Sequence, residues 1–442
     1  VSVKAGETLT CNFNPEDFEQ LSVKDVNFWW PNGMGAASLY NLKTEFIAKN
    51  TVIDKVEKKY GIREVTSYLN EDKNRAFEVN GKFVLIKGGG WVDDLLLQDT
   101  KESVEAQLKY VHHMNMNSIR CEGFWGKDEN LYDLCDEYGI LVMIGWNCHW
   151  EWEEYLLKPT HEKYGGAFND EDINLLADSW FDQMMWLRNH PSIYVWMLSS
   201  DKLPAPELER KYIEQFNKYD PSRPYVTSAG GAGTEDNNIV SEVPLVSEIS
   251  GPTGMKMLGP YAYTPPYYWF TDTQLGGGYG FNTETCPGPS IPPLASLKKM
   301  LPEESLWPID KKYWEYHTGR NEFTTLDRFR KALNERYGES NSVEEFAFKS
   351  QVSNYELMRP MFEAFVAHKP KSTGLIQWML NSAWPELYWQ LYDTYLQPNG
   401  SFYAVRKACN PLHAIYRYGF DDIFIANEDL LDAENITVKI KV

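Results

Sequence analysis

Residues 189–201 read Asn-His-Pro-Ser-Ile-Tyr-Val-Trp-Met-Leu-Ser-Ser-Asp, and this stretch decides the fold class. A turn containing proline leads into a run of β-branched, aromatic and aliphatic side chains, which is typical of a strand buried on both faces. The run ends on a hydroxyl group and a carboxylate, those of Ser200 and Asp201. In a barrel of alternating parallel strands and helices, catalytic groups lie where strands end, so Asp201 is the first candidate for an active-site residue.

Strand-like and helix-like segments alternate on both sides of this stretch, as they do in repeated βαβ units. Strands are predicted at 83–87 (running into glycines 88–90), 117–122, 139–146, 192–199, 224–227, within 244–260, at 279–284 and at 374–381. Helices are predicted at 101–113, 130–138, 173–188, 206–219 and 348–368. Eight strand units in this order predict an α/β fold, a (β/α)8 TIM barrel over residues 67–415.

The two ends of the chain show a different pattern, with short segments of alternating polarity. Such segments lie at 1–3, 21–23 and 39–47, and again at 423–425 and 436–440. An immunoglobulin-like sandwich needs about seven strands, so neither end is long enough to form one. Residues 1–66 are therefore interpreted as the C-terminal part of such a β-sandwich, and residues 416–442 as the start of a second one. The chain is expected to be a fragment of a longer protein.

Composition narrows the classes of partner. The 442 residues carry a formal charge of −20, which would repel a phosphate backbone and attract a cationic substrate, although solubility alone is a simpler explanation. The chain has 16 Trp, 27 Tyr and 21 Phe, which suit the apolar faces of sugars, but most should belong to the core. The six cysteines are scattered without a Cys-x-x-Cys pair, and no apolar run reaches membrane-spanning length. No nucleic-acid, membrane or metal contact is expected.

Asp201 and Glu284 end the fourth and seventh predicted strands, whose loops open on the same barrel face. Glycoside hydrolysis needs two carboxylates, one to protonate the leaving oxygen and one to attack the anomeric carbon or activate water. Each carboxylate also has a structural explanation: Asp201 as the N-cap of the next helix, and Glu284 as a buried, paired group. Tryptophans after strands three and eight, among them Trp146 and Trp378, either stack on sugars or pack in the core.

Several motifs resemble glycoside hydrolase family 2, and they follow the order of that family between about residues 20 and 415. They are Trp-Trp-Pro-Asn-Gly at 29–33, Gly-Ile-Arg-Glu at 61–64, Asn-Gly-Lys at 80–82 and Asn-His-Pro-Ser at 189–192. The resemblance implies a (β/α)8 barrel with flanking β-sandwiches and a retaining double-displacement mechanism. By motif position it makes Asp201 the acid/base and Glu284 the nucleophile.

Departures from the family pattern bear on the sugar. Most members end strand four with Asn-Glu, whereas this chain has Ser200 and Asp201. The branch similar to this chain is that of the exo-β-D-glucosaminidases. Shared motifs are Arg-Cys-Glu-Gly at 120–123, Gly-Met-Lys-Met at 254–257, Glu-Thr at 284–285 and Trp-Met-Leu-Asn-Ser at 378–382. Glucosamine carries an ammonium at carbon 2, towards which Ser200 can turn its lone pairs and Glu122 offers an anion. Two residues argue against this interpretation. They are Asn147, where relatives have an acidic residue, and Lys202, which directly follows Asp201.

The resemblance thus predicts a retaining exo-β-D-glucosaminidase that acts on chitosan or other glucosamine oligosaccharides, without a cofactor. The alternatives are another family 2 exo-glycosidase, such as a β-mannosidase or β-galactosidase, and a non-catalytic sugar-binding fragment. Substrate contacts are predicted for Glu122, Arg120, Ser200, Trp146, Tyr261, Tyr263, Trp378, Asn381 and Trp384. An extracellular or periplasmic location is expected, although no signal peptide is visible.

Overall fold

The computed structural model describes residues 1–230, 245–320 and 323–441. The strands are β1 Tyr40–Ala48, β2 Thr51–Tyr60, β3 Val65–Leu69, β4 Arg75–Val79, β5 Lys82–Val84, β6 Ile86–Trp91, β7 Ser118–Cys121, β8 Leu141–Gly145, β9 Ile193–Met197, β10 Tyr225–Val226, β11 Val246–Ser247, β12 Gly251–Pro252, β13 Met255–Lys256, β14 Gly280–Thr285, β15 Ser372–Gln377, β16 Leu412–Arg417 and β17 Asp422–Asn427. The α-helices are α1 Lys101–His113, α2 Asn130–Tyr138, α3 Glu153–Leu156, α4 Asp170–Leu187, α5 Pro206–Tyr219, α6 Tyr268–Thr271, α7 Leu294–Met300, α8 Glu303–Leu306, α9 Lys311–Tyr316, α10 Asp327–Tyr337, α11 Val343–Ala367 and α12 Gly400–Ala408.

Eight of these strands form one parallel sheet in the order β10-β9-β8-β7-β6-β15-β14-β13. Neighbours follow chain order, and the last strand, β15, pairs with the first, β6. At the two sheet edges, the Thr283 hydroxyl donates to the main-chain oxygens of Ala229 and Lys256, at 2.8 and 3.2 Å, so the ends of β10 and β13 also lie close together. This arrangement confirms the predicted barrel. The predicted sixth strand lies at β13; residue 244, where its predicted window began, is outside the described residues.

The first barrel strand is built from the glycines rather than from the apolar run before them. β5 belongs to a separate antiparallel sheet with β3 and β4, and the barrel strand β6 starts at Ile86. A Cβ atom at Gly88 would lie 2.7 Å from Ile376 Cδ1, and one at Gly89 would lie 2.8 Å from Leu380 Cβ. Glycine is therefore required here because the chain around β15 packs directly against the backbone of β6.

The small β3-β4-β5 sheet closes one end of the barrel. Phe77 on β4 is fully buried, and its ring meets Tyr194 of β9 edge-on at 4.9 Å and Phe281 of β14 at 5.9 Å. Tyr194 and Phe281 each lie near the beginning of their strands. Any cavity in the barrel must consequently open at the opposite end, where the strands finish.

The flanking segments differ from prediction in part. The antiparallel hairpin β1–β2 and the antiparallel pair β16–β17 agree with the predicted strands at 39–47 and 423–425. The predicted strands at 1–3, 21–23 and 436–440 were wrong, because these segments pair with no strand among the described residues. The domain division at residues 66 and 415 stays a prediction. Among the described helices, none has the length and apolar character needed to cross a membrane.

The C-terminal segment is joined to the barrel through a buried group of charges. Glu428, just after β17, forms an ion pair with Lys87 of β6 at 2.7 Å and a second ion pair with Lys369. Burial alone would raise the pKa of Glu428, but the two lysines together lower it to about 2. The carboxylate therefore stabilises this junction in its charged form.

Candidate active site

A cavity of about 690 Å³ opens where the barrel strands end. Asp201, four residues beyond β9, and Glu284, near the end of β14, both line it. Its other walls come from loops that follow β6, β7, β8 and β15, with large apolar side chains among them. These include Trp91, Phe124, Trp125, Tyr155, Trp378, Met379, Trp384 and Trp389. This is the position at which barrels of this kind bring residues from several strands together.

The charged side chains of the cavity wall share one sign. The acidic residues that line it are Asp93, Asp94, Glu122, Asp201, Glu284 and Glu386. Among the described residues of this wall, none is a lysine or an arginine. A concave site with low-dielectric walls and one sign of charge concentrates ligands of the opposite charge.

Two donors hold the Glu284 carboxylate. Arg120 Nη1 donates to Oε1 at 2.7 Å, and the Tyr261 hydroxyl donates to Oε2 at 2.9 Å. Burial and the neighbouring charge of Glu122 raise the pKa of Glu284 well above its ordinary value, while Arg120 opposes that rise. The expected structural explanation, a buried and paired carboxylate, is thus correct as geometry, but the same carboxylate also lines the cavity.

The carboxyl group of Asp201 accepts hydrogen bonds on both oxygens. Trp152 Nε1 donates to Oδ2 at 2.8 Å, and the Ser200 hydroxyl donates to Oδ1 at 3.0 Å. Burial and the charge of Glu284 raise the pKa of Asp201 to about 6, against the effect of these donors. Helix α5 begins five residues later with Ala205 as its N-cap, so Asp201 is not a helix cap.

Arg120 is fully buried at the centre of this network. Its Nη1 also donates to the main-chain oxygen of Thr283 at 3.0 Å, and its Nη2 donates to Ser200 Oγ at 3.0 Å and pairs with Glu122 Oε1 at 2.6 Å. The Ser200 hydroxyl is fully buried as well. Neither side chain is among the residues of the cavity wall; both belong to the hydrogen-bond network that holds Asp201 and Glu284, and their predicted contact with substrate stays a prediction.

The predicted aromatic contacts divide into two groups. Trp378 and Trp384 line the cavity, and Tyr261 reaches it through its bond to Glu284. Trp146 does not line it: its indole donates to the Tyr212 hydroxyl at 2.9 Å and its ring packs in the core beneath the loops. The packing explanation is therefore the one that holds for Trp146.

Tyr263 and Asn381 also lie outside the cavity wall. Tyr263 packs against the hydrophobic cluster formed mainly by helices α7 to α11. Asn381 exchanges hydrogen bonds with the main chain of Val92, at 2.9 Å in each direction, and donates to Gln107 at 2.8 Å. It joins the loop after β15 to the loop after β6, and both of these loops line the cavity.

Glu151 is a fully buried carboxylate that the sequence did not single out. It accepts hydrogen bonds from three successive amides, those of Ser200 at 2.8 Å, Asp201 at 2.7 Å and Lys202 at 3.2 Å. Burial and the like charge of Asp201 raise the pKa of Glu151 to about 8, while these amides oppose the rise. Its loop contains several acidic residues, and no spacing in the sequence distinguishes this one from the others.

The two departures that weakened the amine interpretation have distinct positions. The Lys202 ammonium lies over the Trp152 ring, 4.2 Å from its centroid, and donates to the main-chain oxygen of His161 at 3.3 Å. Lys202 is not among the residues of the cavity wall. Asn147 does line the cavity, and its Oδ1 accepts from the amide of His149 at 3.0 Å.

Glu129, Asp133 and His190 place potential metal-ligand atoms within 4.8 Å of one another. Glu129 is already engaged by Lys58 at 2.6 Å and by the Trp186 indole at 3.0 Å. None of the three potential ligands lines the cavity. Glu129 is therefore bonded to side chains of the protein itself, and the three residues take no part in the chemistry of the cavity.

Comparison with known proteins points to one family. The model of "Glycosyl hydrolases family 2, TIM barrel domain" matches residues 71–249, and that of "Glycosyl hydrolases family 2" matches residues 1–63. An exo-beta-D-glucosaminidase of Streptomyces avermitilis is 36% identical over 450 residues, which cover 100% of this chain and 48% of that protein.

Solved structures agree. The crystal structure of the Amycolatopsis orientalis exo-chitosanase is 34% identical with a TM-score of 0.80, covering 91% of this chain and 46% of that one. The structure of a β-D-mannosidase of Dictyoglomus thermophilum is 22% identical with a TM-score of 0.73, and the match covers 93% of this chain and 50% of that one. This second likeness shows only that the two proteins share a fold. The chain spans about half the length of the relatives it matches.

Proposed function

We infer, because this chain belongs to glycoside hydrolase family 2, that it carries the active site of a retaining exo-β-D-glucosaminidase. The proposed reaction removes terminal glucosamine from the non-reducing end of chitosan oligosaccharides. The observation that carries this proposal is the charge balance of the cavity. Glu122, Asp201 and Glu284 meet there around a single guanidinium, that of Arg120. The ammonium of a bound glucosamine would offset the remaining negative charge.

In the first step Asp201 protonates the leaving oxygen while Glu284 attacks the anomeric carbon. A pKa of about 6 keeps much of Asp201 protonated in mildly acidic solution, as a general acid requires. Arg120 and Tyr261 hold one oxygen each of the Glu284 carboxylate and so fix its direction of attack, and the Arg120 guanidinium favours the ionised form that attacks, because it opposes the rise in the pKa of Glu284. The bond to the leaving group breaks, and a glycosyl ester forms on Glu284.

In the second step Asp201 acts as a base. The ester no longer carries the negative charge that helps to raise the pKa of Asp201, so this pKa falls and the group releases its proton more readily. The carboxylate can then take a proton from the incoming water, which attacks the anomeric carbon and frees Glu284. Configuration is retained because two displacements occur at the same carbon.

Turnover assays distinguish the candidate functions. Release of glucosamine from glucosamine disaccharides by this chain supports the proposal, whereas hydrolysis of an aryl β-mannoside without hydrolysis of an aryl glucosaminide would overturn it. Binding of glucosamine oligosaccharides without any turnover would favour the alternative, a sugar-binding fragment.

The amine specificity is tested through Glu122, which lines the cavity beside Glu284. We expect Glu122→Gln to weaken kcat/KM for a glucosaminide about tenfold or more relative to the matched glucoside, since a charged contact contributes roughly 1.5–3 kcal/mol. Equal losses on both sugars would show that Glu122 does not recognise the ammonium. We also propose an extracellular or periplasmic location, which cell fractionation tests directly.

A further inference from the structure

The main chain that carries Asp201 belongs to neither a strand nor a helix. Strand β9 ends at Met197 and helix α5 begins at Pro206, so the amides of residues 200–202 have no partner in a sheet or a helix. Ser200 is fully buried and Lys202 is only 9% exposed. Buried amides require an acceptor, and here all three find it in the one carboxylate of Glu151.

The loop that delivers Glu151 is shaped closely around it. Gly165 has a φ of +69°, and a Cβ atom there would lie 2.9 Å from the Glu151 Cα. The amide of Gly166 donates to the main-chain oxygen of Trp150 at 2.9 Å, which closes the loop. Trp152, the residue after Glu151 in this loop, donates a hydrogen bond to the side chain of Asp201. One loop thus holds both the backbone and the carboxyl group of Asp201.

We propose that Glu151 is a positioning residue for proton transfer: by accepting the amides of Ser200, Asp201 and Lys202, it fixes the Asp201 carboxyl group against the leaving oxygen. This role rests on the proposed function for its chemistry, and on the three hydrogen bonds for its geometry. Glu151 does not line the cavity, so it acts on the substrate only through Asp201.

Both oxygens of the carboxylate are needed. Oε1 accepts from the Ser200 amide, and Oε2 accepts from the Asp201 and Lys202 amides. A glutamine of the same size offers one acceptor oxygen and turns an NH₂ group towards the remaining donors. Glu151→Gln therefore keeps the volume and loses at least one of the three bonds, while Glu151→Asp keeps the carboxyl group and loses reach.

The test is the dependence on the leaving group. For Glu151→Gln we expect kcat/KM to fall about tenfold or more on a glucosamine disaccharide, whose leaving oxygen needs protonation, and less than about threefold on a dinitrophenyl glucosaminide, which leaves without it. Glu151→Asp should show the same pattern. Glu153→Gln, an exposed carboxylate two residues away, is the matched control and should change neither value. Equal losses on both substrates would overturn the positioning role.

A second measurement does not depend on turnover. Hydrogen exchange of the peptide covering residues 198–204 should be about tenfold faster in Glu151→Gln than in the unchanged chain or in Glu153→Gln, because amides that lose an acceptor open more readily. Unchanged exchange would overturn the proposal. If the unchanged chain releases no glucosamine, the proposed function fails, but the exchange result still decides whether Glu151 holds this segment.

Discussion

The indole of Trp152 provides the sharpest test of how Asp201 is tuned. Burial and the charge of Glu284 raise the pKa of Asp201 to about 6, and the Trp152 indole donor opposes that rise from 2.8 Å. In Trp152→Phe the donor disappears, while an aromatic face remains for the Lys202 ammonium to rest on. A hydrogen bond to a charged group contributes roughly 1.5–3 kcal/mol, which corresponds to about 1–2 pKa units. The pKa of Asp201 should therefore rise.

The assay is the pH dependence of kcat/KM on an aryl glucosaminide, from about pH 4 to about pH 9. A general acid is active when protonated, so activity declines as the pH rises through the pKa of Asp201. Trp152→Phe should move this decline upward by about 1 unit or more, even though its maximal rate is lower. The control is Trp150→Phe, since the indole nitrogen of the half-buried Trp150 has no hydrogen-bond partner among the described residues. The substrate ammonium titrates equally in both variants. A decline that stays in place, or moves to lower pH, would refute this account of Asp201.

Three further variants test other parts of the structure. Glu284→Gln should abolish turnover and leave the thermal unfolding transition in place; a fully active variant would remove Glu284 from the mechanism. Trp146→Phe should lower the free energy of unfolding by roughly 0.5–1.5 kcal/mol, because its hydrogen bond to Tyr212 is lost, and should leave KM unchanged. A large rise in KM would show instead that Trp146 contacts the substrate. The pKa of Glu428 is about 2 in the folded chain, against an ordinary value of 4.5. The contribution of Glu428 to the free energy of unfolding is therefore complete above about pH 4.5 and disappears as the pH falls towards 2. Glu428→Gln should remove about 3 kcal/mol at neutral pH and flatten the acid dependence of unfolding measured by denaturant titration; an unchanged acid dependence would contradict this.

Much of the barrel was predictable because strands such as β8 and β9 are short apolar runs bounded by turns, and this local signal survives without any tertiary context. Asp201 and Glu284 were predictable as cavity residues because each lies near the end of a predicted barrel strand. Reliance on this local signal also explains the wrong strand predictions at the two ends of the chain. Alternation of polarity describes a strand, but a strand also needs a partner, and the local sequence does not supply that information.

The tryptophans and Glu151 show what the sequence could not reveal. Trp146 and Trp378 both follow barrel strands, yet only Trp378 faces the cavity, since the direction of a side chain in a loop depends on how the loop packs. Glu151 acts on amides 49 to 51 residues further along the chain. Contacts across that separation leave no periodic pattern, and Glu151 resembles every other acidic residue of its loop.

The one-signed wall of the cavity also governs what happens after the bond is broken. Glucosamine leaves with the same ammonium that drew the substrate in, so under the proposed function the ionised acidic residues of the wall resist its departure as strongly as they favoured its arrival. Product release then competes with chemistry for control of the rate, and salt that screens the wall weakens binding while it hastens release. Under the same proposal, primary amines used as buffers are expected to compete with the substrate for this wall and to act as weak inhibitors.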